Sequence, residues 1–299
     1  MFTEKKPRTG FGRSDKQRHF EIEKGLRLIN LFCSMRPINI RIITEEKGLR
    51  ELRISFSKNW KHYLQEALGL AIFMISACFF GGILEASGSP LRLAIPDHTL
   101  RIIIMGIMMG LTALFIFYSP LTAASGAHIN PAVTIAFFRL GKMGGWDTLF
   151  YILFQWVGGL LAVYLMAWLM RNTLTAPPVN YVVTVPGKYG AGAAALTEFL
   201  IAFCMITMIL TTSSHEKYKK YTQTLAGFFV CIYVIIAGPI SGFGMNPARS
   251  FASAFPAHIY RDFWIYMIMP VAGMLSAAEI FRMTCKPVDL DRSAVSGPK

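Results

Sequence analysis

The sequence predicts an all-α membrane protein, with six membrane-crossing helices and two re-entrant half-helices arranged as an inverted repeat. Three observations predict it. Hydrophobic residues make up 54% of the 299 and charged residues only 16%, and the apolar residues gather in long runs that a soluble core does not need. The stretch Ser125-Gly126-Ala127-His128-Ile129-Asn130-Pro131-Ala132 returns 116 positions later as Ser241-Gly242-Phe243-Gly244-Met245-Asn246-Pro247-Ala248. Each copy is followed by an apolar run of about ten residues (132–140 and 248–257), too short to span and therefore re-entrant.

Residues 1–61 come first, as a basic tail holding 15 of the 30 Lys and Arg but 7 of the 17 acids. No secretory signal is read there, because the first long apolar run follows about sixty polar residues. Within the tail, Ile22, Leu26, Ile29 and Cys33 recur at helical spacing with Lys24 and Arg27 off that face. Two readings stand side by side: an amphipathic helix on the inner leaflet, or a largely disordered linker. Residues 45–61 carry no assignable motif. Positive charge beside a first span points to lipid and cytoplasmic retention, not to nucleic acid.

Six apolar segments follow, near 63–82, 100–118, 149–170, 193–212, 222–240 and 263–283. At about 20 residues each, they match the length a helix needs to cross roughly 30 Å of hydrocarbon. The channel domain is therefore expected over 62–284, with repeats at about 62–170 and 193–284, and 285–299 as a short C-terminal tail. Glu66 in the first span and Glu198 in the fourth occupy corresponding positions, as do Gly158 and Gly273 in the third and sixth. Three spans per half force the second copy to enter from the opposite side, so the repeat is inverted. The short loops divide their Lys and Arg evenly: Arg139, Lys142, Lys217, Lys219 and Lys220 against Arg92, Arg101, Arg171, Lys188 and Arg261. The basic tail and Lys286 decide the orientation and put both termini in the cytoplasm.

Asn-Pro-Ala at a membrane helix start has a physical meaning. The first N–H groups of a helix lack internal partners. Pro131 and Pro247 suit the first helical position, and Asn130 and Asn246 suit the N-cap. With each side-chain carbonyl held by backbone, both amide N–H groups are expected to point into a pore. Two such caps meeting at the midplane put two positive helix ends where a permeant passes, which opposes cations and breaks a proton-conducting water chain.

Arg249 follows the second Asn-Pro-Ala directly. A charge at membrane depth costs about 2.5–3.5 kcal/mol even on lenient scales, so Arg249 is expected to line a water-filled path or be paired; directly after the second Asn-Pro-Ala, the path is favoured. Between a proton relay and scaffolding, matched placement favours scaffolding for Glu66 and Glu198, each expected to accept N–H bonds from the re-entrant loop of its own half. His128 is expected to make a pore-lining or a loop-packing hydrogen bond rather than bind metal. Cys33, Cys78, Cys204, Cys231 and Cys285 show no metal-site spacing, so neither a disulfide, a metal site nor a cofactor is predicted.

These motifs, with Val133-Thr134 after the first and Arg249-Ser250 after the second, resemble the aquaporin (major intrinsic protein) family over about 62–283. The resemblance implies an hourglass monomer, one pore per subunit, a homotetramer, and passive flow of water and small neutral solutes such as glycerol, urea or metalloid acids. It also implies a filter at Val234, Phe243 and Arg249. The fourth position is Met109 if the 119–125 loop has one extra residue, or Gly110 if it does not; Gly110-Leu111-Thr112 and Tyr118-Ser119 favour Met109. Strict water channels usually place His where Val234 stands. Phe243 resembles the glycerol-conducting branch, Ser250 the water and nodulin-like pattern, and 235–239 the nodulin-like branch. The alternative is a structural or junctional membrane protein with a vestigial pore, against which the intact Asn130, Asn246 and Arg249 stand. A coupled transporter would need further midplane charges. An enzyme would need a nucleophile–base or metal constellation.

Overall fold

A computed structural model describes residues 45–284. The stretch expected as a possible amphipathic helix at 22–33, the rest of 1–44, and 285–299 with Lys286 lie outside the described residues. From Glu51 onward the described chain packs as one unit.

Eight helices carry the fold among the described residues: α1 Glu45–Glu85, α2 His98–Tyr118, α3 Pro131–Arg139, α4 Gly145–Met170, α5 Gly190–Ser213, α6 Thr222–Ser241, α7 Pro247–Ala257 and α8 Phe263–Thr284. Six of them are long and apolar enough to cross a membrane, and α3 and α7 are the two short half-helices. Five of the six expected spans begin and end within four residues of the observed helices. The exception is α1, which starts at Glu45 and not near residue 63. Hydropathy reports which residues lipid tolerates, whereas Glu, Lys, Leu and Arg are good helix formers in water. The polar stretch 45–61 thus continues the first span as helix.

Local chemistry sets the helix starts. Asp97 caps α2, its carboxylate accepting from the N–H of Thr99 at 2.8 Å and of Leu100 at 3.3 Å. Arg101, which counts among the loop charges, is buried and paired, with Nε 3.0 Å from Glu85 Oε1 and Nη1 2.8 Å from the carbonyls of Ile95 and Pro96.

The packing is crossed between halves. α3 of the first half rests on α8 of the second, and α7 of the second half rests on α4 of the first. Each long-helix pair also meets at a glycine. A Cβ on Gly158 of α4 would lie 2.2 Å from the Ala67 carbonyl oxygen of α1, and one on Gly273 of α8 would lie 2.3 Å from that of Phe199 of α5. Ala67 and Phe199 each follow the matched glutamate, so the two contacts are copies of one seam. Backbones this close bring the glutamates under the re-entrant loops.

Candidate functional site: the paired helix caps and their lumen

The two loops entering α3 and α7 have the same unusual backbone. Gly126 and Gly242 take φ of 88° and 81°, and four side-chain-bearing residues also sit at positive φ: Ala127, Ile129, Phe243 and Met245, at 42° to 51°. Such residues cost of order 1–3 kcal/mol each and persist only where surroundings hold them. A carboxylate does the holding. Successive N–H groups of a loop that alternates left- and right-handed residues converge on an anion. Glu66 Oε1 accepts from Ser125 Oγ at 2.7 Å and His128 N at 2.9 Å, and Oε2 from Ile129 N at 2.6 Å. Glu198 Oε1 accepts from Ser241 Oγ at 2.6 Å and Gly244 N at 2.8 Å, and Oε2 from Met245 N at 2.5 Å. Both carboxylates are fully buried.

Tyrosines complete each copy. Tyr151 donates to the Ser125 carbonyl at 2.8 Å, and Tyr266 to the Ser241 carbonyl at 2.6 Å. Gln155 adds a fourth donor to Glu66 at 2.8 Å and reaches Thr134 Oγ1 at 3.1 Å, while Pro270 stands at its place in the second half. Sequence reasoning did not give Ser125, Ser241, Tyr151, Tyr266 or Gln155 a role. The offset of 115 shared by the tyrosines and by the Gly158–Gly273 pair was the available signal.

The caps differ from expectation in one respect. Asn130 Oδ1 accepts from Ala132 N at 2.9 Å, and Asn246 Oδ1 from Ala248 N at 3.0 Å and Arg249 N at 3.2 Å. Each Nδ2, however, donates to the opposite loop: Asn130 to the Met245 carbonyl at 2.8 Å, Asn246 to the Ile129 carbonyl at 2.7 Å. One amide hydrogen of each Asn therefore stitches the halves together, and only the other is free to face a permeant. The physical reason is satisfaction. The carbonyls of Ile129 and Met245 are buried at the meeting point and need a donor.

Asn130, Asn246 and His128 line a cavity of about 680 Å3. Its mouth is framed by Asn59 and His62 of α1, Lys142 and Asp147 at the α3–α4 turn, and Lys219 at the α5–α6 turn; its inner end reaches Phe243. Lys142 Nζ sits 5.6 Å over the Phe137 ring, and partial burial lowers its pKa below the ordinary lysine value. His128 Nδ1 is 3.2 Å from Thr134 Oγ1, and its ring lies 4.7 Å from that of Phe137.

Of the four expected filter residues only Phe243 lines this cavity; Met109, Val234 and Arg249 are buried and do not line it. Gly110 is turned to the α2–α6 seam, where a Cβ would lie 2.7 Å from Cys231 Cβ, whereas the neighbouring Met109 has its Sδ 3.8 Å from Ser76 Oγ. Arg249 is 8% exposed, and its Nε and Nη1 have no hydrogen-bond partner among the described residues. Buried donors without protein partners are costly unless a passing molecule accepts from them. Among the described residues no group of three His, Cys, Asp or Glu is placed to hold a metal ion.

Relatives share this architecture. An aquaglyceroporin of known structure from Plasmodium falciparum superposes with a TM-score of 0.64, over 77% of this chain and 98% of its own, at 17% identity, a likeness of fold. The chain is 36% identical over 178 residues to a probable NIP-type aquaporin of Nicotiana alata, covering 58% of this chain and 64% of that one. It is 35% identical over 191 residues to aquaporin NIP1-2 of Arabidopsis thaliana, covering 62% and 64%. The matched region thus spans about 64% of the length of these relatives. The family model for the major intrinsic proteins matches residues 53–281. With six apolar helices, two facing half-helices and that match, the chain is an integral multi-pass membrane protein and belongs to the major intrinsic protein family.

Proposed function

We propose that the chain is a passive channel for water and small uncharged solutes that excludes protons and ions. The observation that carries it is the lumen: two stitched Asn caps line a cavity of about 680 Å3, and Arg249, directly after the second Asn-Pro-Ala, holds two buried donors with no partner among the described residues. A permeant at the caps accepts one hydrogen bond from Asn130 and one from Asn246, at the positive ends of α3 and α7. Its own hydrogens are then turned away from both caps, which interrupts proton relay. Met109, Val234 and Phe243 give the filter apolar walls and Arg249 gives it one polar side. That combination suits solutes with a hydroxyl-bearing edge and a hydrocarbon edge, so glycerol-sized polyols join water as substrates, with urea and metalloid acids as further candidates.

The organisation that goes with it is a basic tail at 1–61 whose last turns are helical, a channel at 62–284 and a short tail at 285–299. Both termini face the cytoplasm, on the side of the cavity mouth, and four subunits assemble in the bilayer, each with its own pore. Glu66 and Glu198 act as loop supports, and His128 braces its loop through Thr134 from a place on the cavity wall.

Stopped-flow swelling of proteoliposomes in water, glycerol and urea gradients tests the proposal, with a pH-sensitive dye to follow protons. The expected result is water and glycerol permeability well above protein-free vesicles, with no proton leak. Vesicles that behave as protein-free ones for every solute would leave the structural reading in its place.

A further inference from the structure

The two halves match at the loops but not at the cavity mouth. Asp147, in the first turn of α4, has Asp262 as its counterpart at the offset of 115 that relates Tyr151 to Tyr266. The Asp262 carboxylate has an arginine neighbour, Arg261 Nε at 3.6 Å, but accepts no hydrogen bond among the described residues. Asp147 is the acceptor of a three-donor clamp. Its Oδ1 accepts from Ser55 Oγ at 2.6 Å, Asn59 Nδ2 at 2.9 Å and Tyr63 Oη at 2.6 Å.

Ser55, Asn59 and Tyr63 are spaced i, i+4 and i+8, so they form one stripe of α1. Their counterparts at an offset of 132, the spacing of Glu66 and Glu198, are Gly187, Ala191 and Ala195, none with a side-chain donor. Two of the three donors, Ser55 and Asn59, thus lie in the part of α1 that precedes the predicted span, and Tyr63 stands at its first residue. Hydrogen bonds to an ionised carboxylate are the strong kind, and the α4 N-terminus favours the negative charge. Aromatic packing closes the same seam: the Tyr63 and Phe150 rings stack at 5.0 Å, and Phe56 meets Phe150 at 5.2 Å. Asn59 and Asp147 are also walls of the cavity mouth, with His62 beside them.

We propose that Asp147 is a positioning residue for permeation: it fixes the 51–62 segment of α1 as one wall of the cavity mouth and so sets how freely solutes enter from that side. The caps and the filter keep their own hydrogen bonds when the clamp is broken, because no clamp member bonds to Glu66, Glu198 or the Asn pair; Tyr63 meets the loop support only edge-on, its ring 5.8 Å from that of Tyr151. What changes is the order of the entrance. A wall that moves leaves the mouth open for only part of the time, so flux per channel falls for every solute.

The proposal rests on the channel reading, and two readouts separate them. Full-length protein with Asp147→Ala, Asp147→Asn or the pair Ser55→Ala and Asn59→Ala is reconstituted, and functional copies are counted by folded, monodisperse protein per vesicle. Hydrogen exchange across 51–62 is expected to rise about tenfold in Asp147→Ala, the scale of a lost charge-assisted bond. Water permeability per channel is expected to fall about threefold, with the glycerol-to-water ratio unchanged because the filter is untouched. Asp147→Asn, which keeps one acceptor oxygen, should recover part of both losses, and the double variant should reproduce them without altering Asp147. Faster exchange with unchanged permeability overturns the proposal, as does unchanged exchange in all three variants. A changed glycerol-to-water ratio would also overturn it, by placing the effect at the filter. A wild-type chain that passes no solute removes the channel reading and this one with it, a result distinct from variants that match a conducting wild type.

Discussion

The first-half loop and the second-half loop are built on one plan and then equipped differently. Ser125, Tyr151 and Glu66 do around Gly126 what Ser241, Tyr266 and Glu198 do around Gly242, with distances alike to within about 0.2 Å at most bonds. The positions beside and after the caps diverge. Val133 follows the first Asn-Pro-Ala where Arg249 follows the second, and His128 stands where the second loop has Gly244. A Cβ at Gly244 would already lie 2.5 Å from the Tyr266 ring, so that loop has no room for a histidine. The two copies agree in what holds the caps and differ in the side chains around them. The reason is that strained backbone with buried donors tolerates little change, whereas a side chain facing a lumen is limited only by the solute.

Removing the shared support breaks the comparison most severely. Glu66→Ala and Glu198→Ala each orphan buried donors on a loop with two side-chain-bearing residues at positive φ, and a loss of about 3–5 kcal/mol is expected for each. Glu66→Ala should be the worse, with four donors abandoned against three. Thermal unfolding in detergent ranks them; a Glu198 variant that melts clearly lower would show that donor count does not govern the site.

Making the halves alike at the lumen is the next test. Arg249→Val copies Val133 into the second half and removes the buried cation from the filter. Glycerol permeability relative to water should rise about tenfold, near 1.4 kcal/mol, and cation exclusion should weaken. Solute ratios and ion leak that stay at the wild-type values would take Arg249 out of the filter.

The smallest effect sharpens the comparison. Gln155→Leu reduces Glu66 to the three donors of Glu198, but it also removes the buried Gln155 Oε1, which has no partner among the described residues. The gain and the loss largely offset, so a net cost below about 1 kcal/mol is expected. A much larger fall in melting temperature would mean that the first loop depends on its extra donor.

The parts legible in the sequence were those written locally. Five spans, both half-helices and their caps follow from hydropathy, the N-terminal preferences of Pro and Asn, and a repeat visible at one offset. The start of α1 was not legible, because polar helix and polar tail have the same hydropathy. The clamp was hidden for another reason. Asp147 lies 84 to 92 positions from its three donors, and no local period announces a partner at that distance.

By itself the sequence determined that two Asn-Pro-Ala helix starts exist, that they are copies, and that they enter from opposite sides of an apolar bundle. Only the tertiary structure decided how the amide hydrogens of Asn130 and Asn246 are divided, since the acceptors are carbonyls 115 and 117 positions away. It likewise turned Gly110 into a helix seam and left Met109 as its buried neighbour. A cap motif states which groups need partners; which partners they find depends on what the fold brings within about 3 Å.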